Sequence, residues 1–176
     1  MSAARRPAVF LDRDGVINVD HGYVCSRDRL EWITGVFEAL SRLKQAGYLL
    51  IVVTNQAGIG RGYYDEAALH SFHRLLNEEL TRHGGGIDAF YFCPFHADAS
   101  VERYRHPDHP DRKPNPGMLL QAMRDWPIDP ARSFLIGDKT SDVAAAQAAG
   151  VTGYLFEGGN LDELVDRILD GAGPAS

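Results

Sequence analysis

Val9-Phe10-Leu11-Asp12-Arg13-Asp14-Gly15 is the stretch from which the rest of the chain can be read. Three apolar residues run straight into two acids and a glycine. A short apolar run closed by a turn signal reads as a buried strand. The same phrase recurs downstream: Tyr48–Val53 runs into Thr54-Asn55-Gln56, Ala89–Cys93 stands alone, Ser133–Ile136 runs into Gly137-Asp138, and Val151–Phe156 comes last. Helical spacing fills the intervals. Val36, Leu40 and Leu43 recur on one face, with Gly47 where a helix stops. Asp65 reads as the N-cap of a long helix with Leu69, Phe72, Leu76 and Leu80 on its apolar face. Asn115-Pro116 reads as an N-cap followed by proline at the first helical position, in a helix that stops before Pro127. An alanine-rich helix over 141–149 ends at Gly150, and Asn160 caps a last one running to Leu169. This alternation predicts an α/β fold, a three-layer Rossmann-like parallel sheet flanked by helices. No stretch is long enough for a separate cap domain, so residues 1–176 read as a single domain with a frayed tail at 171–176.

In such a sheet ligands bind beyond the carboxyl ends of the strands. Asp12 and Asp14 are two apart, so in an extended chain both side chains face that crevice. Two carboxylates this close need a proton or a cation between them, and Mg²⁺ suits hard oxygen ligands. Alone, the motif is also compatible with a turn holding two solvated acids. Thr54 puts a hydroxyl at the second strand tip, and the glycines after it let backbone N–H groups approach a phosphate. Arg112-Lys113 precedes a helix N-terminus. Arginine grips phosphate bidentately and lysine acts as a point charge, although an ordinary basic surface pair reads the same way. Asp138 follows the fourth strand and reaches toward the same cation. Asp142 either orients a neighbouring lysine or caps the next helix. Four such signals at one edge of one sheet point to phosphoryl chemistry.

Bulk properties agree. A formal charge of −6 argues against a nucleic-acid partner but not against an anionic small molecule. Cys25 and Cys93 cannot make a disulfide framework and fit a reducing compartment. Neither a secretory leader nor a membrane-spanning run is present, so a cytoplasmic location is expected. Trp32, Phe37, Phe72 and Phe90 are expected in the core. His70, His73 and His83 are expected on the surface of the long helix or just past it, and Cys25 is expected to be inert.

The order Asp-x-Asp-Gly, strand-end Thr, Lys-Pro and Gly-Asp-x-x-x-Asp resembles the haloacid-dehalogenase superfamily. The longer strings over 12–24, 52–62, 112–118 and 136–139 resemble its heptose-bisphosphate phosphatases, with histidinol-phosphatases as near relatives. The resemblance covers nearly the whole chain and implies removal of the 7-phosphate of D-glycero-D-manno-heptose 1,7-bisphosphate, feeding nucleotide-activated heptose for surface glycans such as lipopolysaccharide. Asp12 would be the nucleophile. Asp14 would be general acid and then base, a role that requires it to hold a proton beside the bound phosphate. Mg²⁺ would sit on the Asp12 carboxylate, the Asp14 backbone carbonyl and Asp138. Thr54 and Lys113 would hold the phosphoryl group. Asp20, His21, Gly22, Tyr23, Asn55, Gln56, Arg112 and Lys139 would shape the sugar site. A histidinol-phosphate or other small-molecule phosphatase is the alternative, and a silent phosphosugar-binding module a more distant one.

The chain departs from the family between residues 94 and 116, a long aperiodic loop. Many members carry a zinc loop there, with Cys-x-His followed by Cys-x-Cys. Here Cys93 is the one thiolate, and His96, His109 and Asp111 are the remaining candidates, with His106 nearby. One thiolate in place of three disfavours a structural zinc, so zinc is not expected. Pro107, Pro110, Pro114 and Pro116 limit the loop's entropy instead. The loop is long enough to cover the site, and a monomer is expected.

Overall fold

The computed structural model describes residues 3–171. Five strands, β1 (Ala8–Leu11), β2 (Leu49–Asn55), β3 (Ala89–Cys93), β4 (Phe134–Gly137) and β5 (Thr152–Leu155), form one sheet. Their order is β3-β2-β1-β4-β5 and every pairing is parallel. All carboxyl ends therefore share one edge. The helices are α1 (Val36–Gln45), α2 (Ala57–Gly60), α3 (Glu66–Arg82), α4 (Gly117–Asp125), α5 (Thr140–Ala148) and α6 (Leu161–Leu169).

The period-two alternation of each strand divides the core between two faces. Val9, Leu11, Leu50, Val52 and Ile136 pack with α1, α6 and Leu80 of α3. Phe10, Ile51, Val53 and Leu135 pack with Met118, Leu119 and Ala122 of α4 and Ala145 and Ala146 of α5. Both faces are covered, which is why the strands read as unbroken apolar runs.

Local chemistry sets most helix ends. The Asp65 side chain accepts from Ala68 N–H and that of Asn160 from Asp162 N–H, as expected of N-caps. Gly150 ends α5 at φ +80°. The helix expected to open at Asn115-Pro116 begins one residue later, with Pro116 at the cap. Asn115 is not free to cap it, because its amide donates to Asp108 Oδ1 and the His109 carbonyl. Of the aromatics expected in the core, Phe72 is buried. Trp32, Phe37 and Phe90 are only partly buried against it. For Phe90 the reason is that β3 is an edge strand. The tail expected to fray lies, from residue 172 on, outside the described residues.

The 94–116 loop is ordered by its own small core. Tyr104, in a single 3₁₀ turn at Glu102–Tyr104, packs with Ile59, Leu69 and Ala99. Its hydroxyl donates to Glu66 Oε1 at 2.7 Å. Within the described residues no helix is long and apolar enough to cross a membrane.

Candidate active site

Asp12 is the first residue past β1, and its side chain is nearly buried. Oδ1 accepts from Arg13 N–H at 2.9 Å and from Lys113 Nζ at 3.0 Å. The Lys113 ammonium also meets Asp142 Oδ1 at 2.6 Å and donates to the Val53 carbonyl at 2.8 Å. Its three protons thus have three acceptors. Burial opposes the Lys113 charge, but Asp12 and Asp142 together outweigh that and hold the ammonium above its usual range. Asp142 uses its other oxygen, Oδ2, to accept Lys139 N–H at 3.1 Å at the start of α5. Orienting the lysine and capping the helix are therefore both done by one side chain.

Asp138 completes the acidic group. One oxygen from each of Asp12, Asp138 and Asp142 lies within 4.8 Å of the others. Burial, only partly opposed by Lys113, pushes the Asp12 carboxyl well above the usual carboxylate range. Burial also raises that of Asp138. Asp138 Oδ1 is buried and has no hydrogen-bond partner. A buried acceptor without a donor, in an acidic group with one ammonium, fits a hard divalent cation. Asp142 is already committed on both oxygens, so Asp12 and Asp138 are the side chains with capacity left. Gly15 makes the approach feasible, since a Cβ there would lie 2.1 Å from Asp138 Oδ2 and its φ is +89°.

Asp14 stands apart from that group. Its Oδ1 accepts from Arg13 Nη2 at 2.8 Å, Arg13 Nε at 3.2 Å and Asn18 Nδ2 at 3.0 Å. Oδ2 accepts from Gln56 Nε2 alone, at 3.1 Å. The side chain keeps 18% of its surface exposed. Gln56 also donates to Thr54 Oγ1 at 2.9 Å, and Tyr64 hydroxyl donates to Gln56 Oε1. Thr54 is fully buried at the tip of β2.

Asp12, Asp14, Gln56, Tyr64, Lys113 and Asp142 line a cavity of about 600 Å³, which Thr54 and Asp138 do not line. Of the residues anticipated from sequence, Asp12, Asp14, Asp20, Gly22, Tyr23, Asn55, Gln56, Arg112, Lys113 and Lys139 line it. Lys139 Nζ faces Asp20 Oδ2 across 3.8 Å. His21 turns away to pair with Glu31 at 2.6 Å, among exposed groups. Asn55 works through the backbone. Its Nδ2 donates to Lys113 O and its Oδ1 accepts Lys113 N–H, both at 3.1 Å. This reciprocal pair fixes the lysine to the end of β2.

The loop residues weighed for zinc do not converge. Cys93 is buried, and its thiol, pushed up to about 11 by burial, donates to the Phe95 carbonyl at 4.0 Å. His96 and His109 each turn Nδ1 back to the backbone N–H two residues on, at 2.9 and 3.1 Å. The His109 ring stacks flat on Phe95, centroids 3.8 Å apart. Among the described residues, the group Asp12, Asp138 and Asp142 is where metal-ligating side chains cluster.

The chain is 47% identical over 169 residues to the D-glycero-beta-D-manno-heptose-1,7-bisphosphate 7-phosphatase of Rhodopseudomonas palustris, covering 96% of this chain and 93% of the relative. It belongs to the heptose-bisphosphate 7-phosphatase family. The Escherichia coli K12 member is 48% identical over 145 residues, or 82% of this chain and 75% of that one. The HAD-hydrolase-like family model matches residues 111–168. Among solved structures, the D,D-heptose 1,7-bisphosphate phosphatase of B. bronchiseptica, complexed with magnesium and phosphate, superposes with a TM-score of 0.81. It is 30% identical, over 94% of this chain and 99% of that one.

Within this heptose-bisphosphate phosphatase family member, three residues near the site were not anticipated from sequence. Arg13 has the largest of the fully buried side chains. Asn18 is also buried, and Tyr64 lines the cavity. His73, expected on the surface, is buried and meets Arg13 Nη1 through Nε2 at 3.2 Å. A signal for His73 existed: with Leu69, Phe72, Leu76 and Leu80 it completes the i, i+3, i+4, i+7, i+11 stripe that α3 buries.

Proposed function

We propose that this chain is a magnesium-dependent phosphatase that removes the 7-phosphate of D-glycero-D-manno-heptose 1,7-bisphosphate through an aspartyl-phosphate intermediate, supplying nucleotide-activated heptose synthesis. The observation that carries the mechanism is the pairing of two differently held carboxylates. Asp12 Oδ1 is pinned by Lys113, and Asp14 keeps Oδ2 open to the same cavity.

In the first step an Asp12 carboxylate oxygen attacks phosphorus while the bond from phosphorus to the sugar oxygen breaks. Asp14 Oδ2 gives its proton to that leaving oxygen. In the second step Asp14 takes a proton from water as the water attacks the aspartyl-phosphate, which releases phosphate and restores Asp12. Lys113 holds the transferring group in line and offsets its charge, with Thr54 assigned to the same phosphate by the family resemblance. Asp12, Asp138 and the Asp14 backbone carbonyl would hold Mg²⁺, which neutralises phosphoryl oxygens. Arg112 and Lys139 at the cavity wall suit the second phosphate of a bisphosphate, and Asp20 and Tyr23 suit the sugar. Lys113 reaches the site from its own chain's loop, so this account needs no partner subunit.

Phosphate release with Mg²⁺ from both anomers of the heptose bisphosphate, fructose 1,6-bisphosphate and histidinol phosphate tests it, with Asp12→Asn as the blank. A strong preference for one heptose anomer, abolished in the blank, is expected. Equal slow turnover of all four would sink the heptose assignment.

A further inference from the structure

Arg13 and Asp14 do not form the usual fork. An arginine–carboxylate pair is commonly bidentate, one N–H to each oxygen. Here Arg13 Nε and Nη2 both converge on Oδ1, and Asn18 Nδ2 adds a third donor to that same atom. Oδ2 is left with the Gln56 amide alone. One oxygen is saturated with donors and the other has room for a proton.

The guanidinium is held at that angle from behind. Its side chain is wholly buried, and a buried cation is costly unless every donor is met. Nη2 also donates to the Val24 carbonyl, Phe72 lies under the guanidinium at 5.1 Å, and Nη1 meets His73 Nε2 at 3.2 Å. Arginine only donates, so Nε2 accepts and the ring carries its proton on Nδ1. Burial, with Arg13 beside it, lowers the His73 pKa to about 3, so the ring stays neutral and remains an acceptor at working pH. Stacking on Phe90, centroids 4.4 Å apart, fixes the ring plane.

We infer that Arg13, oriented by His73, is a positioning residue that assigns proton transfer to Asp14 Oδ2 by saturating Oδ1. This rests on Asp14 being the acid of the proposed reaction. His73 touches neither substrate nor reacting atoms and acts only through Arg13.

Leaving-group dependence separates positioning from general stability. A sugar oxygen needs a proton as it departs, whereas p-nitrophenolate does not. The kcat ratio between heptose bisphosphate and p-nitrophenyl phosphate is measured for wild type, His73→Met, which removes the ring acceptor, and His73→Gln, which keeps an amide oxygen to accept from Arg13. His73→Met is expected to lose about tenfold more activity on the sugar than on the aryl substrate, within the range that general acids contribute. His73→Gln is expected to recover most of that ratio. Equal losses on both substrates, or no loss on either, would overturn the assignment. Arg13→Lys keeps the charge but cannot span Asp14 and His73; it is expected to shift the ratio the same way, and it decides the matter if the histidine variants do not fold. Asp14→Asn serves as the reference. If it fails to discriminate between the substrates, the acid role itself is wrong. If it discriminates and the others do not, only the positioning role falls.

Discussion

Replacing Asp138 by asparagine should stabilise the metal-free protein while abolishing its response to Mg²⁺. The Asp12, Asp138 and Asp142 oxygens lie within 4.8 Å of one another. At about pH 9 the Asp12 carboxyl, pushed up to about 8 by burial, is ionised along with the other two, and at that separation, with an effective dielectric of about 20, each like-charge pair costs roughly 3.5 kcal/mol. Lys113 bonds directly to Asp12 and Asp142 and offsets about one of these charges. Roughly one pair then remains uncompensated. Because Asp138 is partly exposed, solvent screening cuts its cost to about 2 kcal/mol. Asparagine keeps the shape and removes the charge. The expected gain, about 2 kcal/mol, raises Tm by roughly 4–8 °C for a chain of this size. Bound metal works the other way. Saturating Mg²⁺ at about a hundred times its Kd stabilises the wild type by about 2.7 kcal/mol, and the variant should show none of this. Circular-dichroism melts of both proteins at about pH 9, where Asp12 is ionised, with chelator and with Mg²⁺, read all four values. A variant that melts lower than wild type in chelator would refute the charge argument. One that gains as much from Mg²⁺ as wild type does would refute the role of Asp138 as ligand.

Three further outcomes follow from the geometry. His73 should make the protein acid-sensitive, because its folded pKa falls from 6.5 to about 3. The unfolded chain binds the extra proton between those values, so stability present above pH 6.5 is lost as pH falls, at about 1.4 kcal/mol per unit. Asp12, raised by burial and by the neighbouring acids, pulls the opposite way, since its contribution is lost as pH rises. The difference between wild type and His73→Met in urea melts cancels the Asp12 contribution and should change by about 2 kcal/mol between about pH 6.5 and pH 5. Asn55→Ala removes both bonds to the Lys113 backbone; it should cost about 1–3 kcal/mol in denaturant melts and lower kcat, whereas Asn160→Ala, which removes a helix cap outside the cavity, should cost stability and leave kcat in place. Gly15→Ala forces a methyl against Asp138, so it should weaken Mg²⁺ activation, seen as a raised Mg²⁺ half-saturation point, before it unfolds the protein.

Strand tips and helix caps were legible because local chemistry determines them. The apolar runs end at Asp12, Thr54 and Gly137–Asp138, and parallel pairing gathers those ends at one edge. Asp65 and Asn160 cap within their own turn, so three residues of sequence suffice to see them. Long-range pairing was not legible. Nothing near Lys113 announces that Asn55, fifty-eight residues away, holds its backbone at both ends. Asn115 looked like a cap because the cap is local, whereas the bonds that divert it depend on how a long loop folds back. His73 was misplaced for another reason. A polar residue on a buried stripe implies a buried partner, and that partner, Arg13, sits in the motif that had been read only for its acids.

The central claim is that Asp12 becomes covalently phosphorylated. Wild-type protein is mixed rapidly with heptose bisphosphate and Mg²⁺, quenched in acid within one turnover and reduced with borohydride, which converts an aspartyl-phosphate to homoserine. Peptide mass spectrometry then finds the site. The account predicts homoserine at position 12, absent without Mg²⁺ and absent in Asp12→Asn. Homoserine at position 14 or 138, or an unmodified Asp12 in protein that turns over normally, would contradict it.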